Sequence, residues 1–209
     1  MKVLVIGTGN MGAGFVKQLA AAGHQVSVTA RDQTKAHALA QQFGAVAVAA
    51  AGSAAAVDAI VLATPYAEAV TALLGVGDLT GKTVIDITNP LTPDYMGLTL
   101  GHNTSAAEEI AKAVPGAEVV KGFNTVFAQV LAEGAEWGDG QKVTVFVASE
   151  SDRAKQTARA LAESMGFQVM DAGGLQNARY LEPVAGFNIY LGYGAGLGTA
   201  IAPAWIHKA

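Results

Sequence analysis

Cysteine is absent from the 209 residues, which excludes disulfides, thiolate nucleophiles and cysteine-ligated zinc or iron–sulfur centres. That lack suits a reducing compartment, and the expected location is the cytoplasm. Charge is scarce. Asp, Glu, Lys and Arg make up 14% of the chain, the formal net charge is −4, and no Lys/Arg cluster occurs, so a nucleic-acid surface is not expected. The four histidines, His24, His37, His102 and His207, show no metal-ligand spacing, and no metal is expected. Long hydrophobic runs are missing with one exception. Residues 184–206 carry no formal charge, a length that could cross a bilayer, with small residues spaced at Gly192/Gly196 and Gly194/Gly198. Asn188, Tyr190, Tyr193, Thr199 and Pro203 interrupt that run, so it reads instead as a buried core or dimer helix.

Hydrophobic residues reach 51%, much of it Ala beside 25 Gly, enough for a substantial core and a composition that excludes disorder. Short Val- and Ile-rich runs alternate with helical stretches, the mark of a parallel α/β sheet covered on both faces. Strands are expected at 2–6, 25–30, 45–48, 59–63, 83–87, 118–121, 142–148 and 167–170. Helices are expected at 11–22, 32–43, 66–74, 104–113, 124–132, 151–164 and 174–198. Residues 1–150 form the nucleotide-binding part; residues 151–209 add a sheet extension and a helical segment packed on the same domain. The stretch from Thr88 to Asn103, with Pro90 and Pro93, is a long irregular loop of the kind that carries function.

Strand 2–6 runs directly into Gly7-Thr8-Gly9-Asn10-Met11-Gly12, a helical pattern follows, and a second strand comes next. A GxGxxG string alone is weak evidence, but this strand–turn–helix–strand setting is what a dinucleotide site requires. Gly7 permits the tight turn, Gly9 lets a pyrophosphate approach the backbone, and Gly12 lets the helix pack on the strand. The helix N-terminus offers unpaired N–H groups to phosphates. The expected architecture is therefore a Rossmann-like, doubly wound, mostly parallel sheet with a small C-terminal extension.

Val26, Val28 and Ala30 alternate, so the ribose-binding position of the second strand falls near Ala30 or Arg31. Ala30 cannot bond a 2′-hydroxyl. Arg31 can stack on adenine and pair with a 2′-phosphate, and Lys35 lies one helical turn away. That chemistry favours NADP. Asp32 has the spacing of an NAD ribose ligand, but it also directly precedes a helical run and suits an N-cap. The fourth strand ends in Ala63-Thr64-Pro65-Tyr66 and the fifth in Thr88-Asn89-Pro90, turns expected to flank the nicotinamide end. Asp86, inside the fifth strand, reads as a hydrogen-bonded structural carboxylate.

The chain resembles the NADPH-dependent coenzyme F420 reductase family over nearly its whole length. The motifs are Gly7 to Gly12, Thr29-Ala30-Arg31 with Lys35, Thr64-Pro65, Lys121-Gly122-Phe123-Asn124-Thr125-Val126, and Asp171 to Arg179. The reductase domain of membrane ferric reductases is similar too. The resemblance implies that Thr8, Asn10 and Met11 lie along the pyrophosphate and that Arg31 and Lys35 hold the 2′-phosphate. It further implies that the turn from Gly122 to Val126 walls the second substrate, with Asn124 at the position where F420 reductases of the family tend to place a His. The implied acceptor is a flavin or a deazaflavin-like ring.

No catalytic acid stands out. No Tyr is followed four residues later by Lys, and only His102 and Tyr95, in the long loop, could serve as donors. Reducing a carbonyl needs a positioned proton donor, whereas a flavin-like ring accepts hydride and delocalises the charge itself. The expected function is hydride transfer between NADP(H) and such a ring. The alternatives are a non-catalytic NADPH-binding module and a reductase of imines or carbonyls. A homodimer through the C-terminal segment is also expected.

Overall fold

A computed structural model describes residues 1–137 and 140–205. In chain order the elements are β1 (Lys2–Ile6), α1 (Asn10–Ala21), β2 (Gln25–Thr29), α2 (Gln33–Phe43), β3 (Val46–Ala47), β4 (Ala59–Leu62), α3 (Tyr66–Gly75) and β5 (Thr83–Asp86). There follow α4 (Ala106–Ala113), β6 (Glu118–Gly122), α5 (Ala128–Glu133), β7 (Glu136–Trp137), β8 (Gln141–Lys142), β9 (Thr144–Ala148), α6 (Asp152–Ser164), β10 (Gln168–Asp171) and α7 (Ala178–Ile189).

The main sheet runs β10-β9-β6-β5-β4-β1-β2-β3. From β3 to β6 every pairing is parallel, in the order 3-2-1-4-5-6 of a doubly wound sheet. β9 joins antiparallel to β6, and β10 extends it in parallel. Alternation along β1 sorts the core by face. Val3 and Val5 join Phe15, Leu19 and Leu161 on one side, while Leu4 and Ile6 join Leu73 and Ile110 on the other. Each such fully buried side chain contributes about 1.5–3 kcal/mol. Phe123 anchors the first layer, meeting Phe15 and Phe167 edge to face with ring centroids 4.9 and 5.8 Å apart.

Local chemistry sets the helix starts. The carboxylate of Asp32 accepts from the Lys35 amide and caps α2, and Ser105 and Ser151 cap α4 and α6 in the same way. Asp32 is thus occupied as the helix cap.

Three expectations need correction. The helix expected at 174–198 is a 3₁₀ turn at Leu175–Asn177, then α7, then a π-helical turn at Tyr190–Gly194. Glycines weaken a helix interior, and Gly196 and Gly198 adopt φ of 74° and 79°, which carries the chain out of it. No helix among the described residues is long and apolar enough to cross a membrane. The helix expected at 124–132 starts only at Ala128, because Phe123 adopts a left-handed φ of 59° and residues 123–127 form a turn. The strand expected at 142–148 splits at Val143: β8 pairs with β7 in a separate two-stranded ribbon, and the Val143 amide donates to the Ala135 carbonyl.

Candidate functional site

In a sheet of this order ligands sit beyond the carboxyl ends of the strands, where the winding reverses between β1 and β4. Two cavities lie along that edge. One of about 440 Å³ spans the ends of β2, β1 and β4, and one of about 550 Å³ continues past β5 and β6.

The first cavity is built on the glycine turn. A Cβ on Gly7, whose φ is +118°, would stand 2.2 Å from the Ala63 carbonyl oxygen. One on Gly12 would stand 2.1 Å from the Gly7 carbonyl oxygen, so neither position admits a side chain. Gly9 differs: a Cβ there meets nothing within 4 Å. Its lack of a side chain leaves open space above α1. Gly9 is also the N-cap of α1, with no side-chain cap and no acidic residue in the first turn, so the helix presents its N–H groups and positive end to that space. The turn therefore fits an anionic pyrophosphate.

Gly7, Thr8, Gly9, Ala30, Arg31, Lys35, Ala63, Thr64 and Pro65 all line this first cavity. Arg31 is largely exposed and sits 3.2 Å from both carboxylate oxygens of Glu68, in the first turn of α3. Asn10 lies outside it, on a neighbouring groove with Lys17 and Phe43. Tyr66 packs against the core layer around α3 and α4 instead. Burial pushes its phenol above the usual 10.0, and the carboxylates of Glu109, Glu182 and Asp86 add to the effect, so Tyr66 stays protonated at neutral pH.

The second cavity is mostly apolar, walled by Met11, Ile87, Phe123, Val126 and Ala185, with Tyr95 and Met96 from the long loop and Tyr193 from the π-helical turn. Two asparagines at its wall hold each other. Asn124 Nδ2 donates to Asn89 Oδ1 at 3.0 Å and to the Leu181 carbonyl at 3.0 Å, while Asn89 Nδ2 donates to the Asn124 carbonyl at 2.9 Å. Asn188 Nδ2 donates to the Thr125 carbonyl. Asn124 Oδ1 is buried and accepts no hydrogen bond, and Asn124 itself lines the cavity. Pro90 lies buried behind the wall, where its carbonyl accepts from the Thr99 amide and hydroxyl.

The described histidines stand apart from both cavities. His24 lies beyond α1 against the N-terminal amine and the Ser164 hydroxyl, and burial lowers its pKa. His102 lines a separate groove with Arg179 and Tyr180, and His207 falls outside the described residues. Among the described residues no three His, Asp or Glu side chains converge as a metal site would require.

One feature escaped sequence reasoning. Lys121, wholly buried in β6, places its Nζ 2.7 Å from Asp86 Oδ2 and 2.8 Å from Glu182 Oε1. The sequence signal was a lone Lys in an apolar strand run, Val119-Val120-Lys121-Gly122-Phe123, together with the in-strand Asp86. Glu182 gave no signal, because only the packing of α7 brings it there.

Residues 2–90 match the family model described as NADP oxidoreductase, coenzyme F420-dependent. The chain is 32% identical over 202 residues to the F420-dependent NADP reductase of Methanothermobacter thermautotrophicus, covering 88% of this chain and 86% of that one. It is 28% identical over 184 residues to the rat metalloreductase STEAP3, covering 88% of this chain but only 36% of that longer protein. Among solved structures it superposes, with a TM-score of 0.84 and 30% identity, on an Arthrobacter sp. FB24 protein provisionally named an F420-dependent NADP reductase. That match covers 95% of this chain and 96% of the other.

Proposed function

The chain belongs to the NADP oxidoreductase coenzyme F420-dependent family, and as an NADP-dependent oxidoreductase of that family we propose that it exchanges a hydride with a planar acceptor, a flavin or deazaflavin-like ring. The observation that supports this reading is the pairing of the two cavities along one sheet edge: one opens onto the uncapped N-terminus of α1, the other is mostly apolar.

In this reading the backbone of Gly7, Thr8 and Gly9 and the N-terminus of α1 hold the pyrophosphate. Ala30 leaves room for the 2′-phosphate, Arg31 and Lys35 pair with it, and Ala63, Thr64 and Pro65 border the ribose beyond. Gly12 keeps α1 close to the turn, and Met11 and the Asn89–Asn124 pair border the nicotinamide and the acceptor. NADPH supplies the hydride, and the proton that completes reduction of the ring comes from water. The protein contributes orientation and a dry wall, not acid–base chemistry. Exposed Tyr180, Phe187, Tyr190 and Leu197 on and after α7 supply the apolar face for a homodimer.

The test is anaerobic oxidation of NADPH by the purified protein with FMN, FAD or F420 as acceptor. Turnover with any of these is the expected result. Tight NADPH binding with no turnover on these rings overturns it in favour of a binding module. Turnover confined to imines or carbonyls, abolished in Tyr95→Phe, would instead assign Tyr95 as a proton donor, since it too lines the second cavity.

A further inference from the structure

Lys121 is a charged side chain with no exposure, and two carboxylates and one carbonyl lie within 2.8 Å of its Nζ. Nζ pairs with Asp86, with Glu182, and with the Thr88 carbonyl at 2.7 Å. The two carboxylates reach further. Asp86 Oδ1 accepts from the Thr88 amide at 2.8 Å, so both backbone polar groups of Thr88 are held by this one cluster. Glu182 Oε2 and Oε1 accept from the Ala106 and Ala107 amides at 2.9 and 3.2 Å, the first turn of α4.

Thr88 and Ala106 are the two ends of the long loop between β5 and α4. One end leads at once into Asn89, the other is the start of α4, and Asp94, Tyr95 and Met96 between them line the second cavity. The same cluster lies three residues before Asn124 on β6, and Glu182 lies three residues before Ala185 on α7, both on that cavity. Replacing a buried ion cluster with apolar groups is often neutral or stabilising, so stability alone does not account for burying three charges here.

We propose that the Lys121–Asp86–Glu182 cluster is a clasp that fastens both ends of the 89–105 loop and thereby positions the wall of the acceptor cavity. Its three members are positioning residues; none lines the cavity. The consequence for substrate rests on the hydride-transfer reading above, whereas the fastening of the loop does not.

Amide hydrogen exchange of the whole protein tests it in Glu182→Gln, which keeps the volume but turns one of the two oxygens that hold the α4 amides into an NH2 donor, and in Lys121→Met. The expected result is that amides in 90–105 exchange about tenfold faster or more while those of β1 and α1 keep their protection. In parallel, the KM for the flavin rises about fivefold or more, and NADPH affinity stays within about twofold of wild type. Unchanged exchange across 90–105 in Glu182→Gln overturns the clasp, even if the melting temperature falls. So does faster exchange spread evenly over the sheet, which marks a purely structural role. If Lys121→Met fails to fold, Glu182→Gln decides alone. Should the wild type reduce no flavin, the functional reading falls while the exchange result still decides the clasp.

Discussion

Arg31 Nη1 lies 3.2 Å from both carboxylate oxygens of Glu68, across the mouth of the first cavity. If Arg31 holds the 2′-phosphate as proposed above, Glu68 and the phosphate would compete for that Nη1 donor. Exposed ion pairs are weak, so a phosphate dianion displaces Glu68 at little cost. Glu68→Gln is expected to tighten NADP binding several-fold without a matching gain for NAD. Arg31→Ala is expected to lose about tenfold or more of NADP affinity and most of the preference over NAD. Calorimetry with both cofactors checks each; equal NAD and NADP affinity in the wild type would move the ribose contact away from Arg31.

Two glycines of one turn should fail differently. Gly12→Ala forces a Cβ to within 2.1 Å of the Gly7 carbonyl oxygen, and α1 must shift. The expected cost is about 1–3 kcal/mol or more of stability, read by denaturant titration. Gly9→Ala meets no protein atom within 4 Å and keeps its melting temperature, but the methyl group occupies the anion's approach and weakens NADP binding. Equal loss of stability in both variants would contradict this division of roles.

Phe123 combines a left-handed backbone with a fully buried ring set between Phe15 and Phe167. Phe123→Ala is expected to cost about 3–5 kcal/mol by opening the core behind the second cavity. Chemical denaturation measures it, and a cost below about 1 kcal/mol would mean the site collapses around the smaller side chain.

The Arg179 guanidinium forks onto Glu108, at 2.6 and 2.9 Å, and holds that carboxyl below its ordinary value of 4.5. The Gly173 amide does the same for Asp171 against an ordinary 3.8, with help from Lys155. For a depressed carboxyl the stabilisation is complete above the unfolded pKa and fades as pH falls through the folded one. Melting temperature should therefore hold steady near neutrality and fall once pH drops below about 4.5, and Glu108→Gln should flatten part of that fall. A Glu108→Gln profile parallel to wild type would remove Glu108 from the account.

Tyr180, Phe187, Tyr190 and Leu197 are exposed apolar side chains on and after α7. Light scattering is expected to give a dimeric mass for the wild type and a monomeric one for Phe187→Arg. A monomeric wild type would rule the dimer out.

Most of the first cavity's lining was legible in the chain alone. The spacing of Gly7, Gly9 and Gly12 marks the tight turn, because a strand running straight into a helix leaves little room for a side chain at Gly7 or Gly12. Arg31 and Lys35 follow from the same register, and Asp32 as a helix cap follows from the run it precedes. The continuous Val- and Ile-rich run of β1 likewise pointed to a strand covered on both faces, and the structure places Val3 and Val5 on one face and Leu4 and Ile6 on the other.

Tertiary structure decided what depends on distant segments meeting. Local sequence cannot report that Glu68 faces Arg31, that Asn124 locks to Asn89, or that Lys121 meets Asp86 and Glu182, because those contacts exist only once α3 packs beside the end of β2 and β5, β6 and α7 come together. The break of the C-terminal helix into α, π and irregular segments belongs to the same class: an uncharged Ala- and Gly-rich run fits a long helix by composition, but glycine lets the chain leave the helix wherever packing favours it. The chain alone made a mostly parallel, doubly wound sheet and the tight glycine turn after β1 legible, through local periodicity and steric limits; the strand order came from the fold. The second cavity, its asparagine wall and the buried charges behind it were settled by packing, because a charge can be buried only where its partners arrive from other parts of the chain.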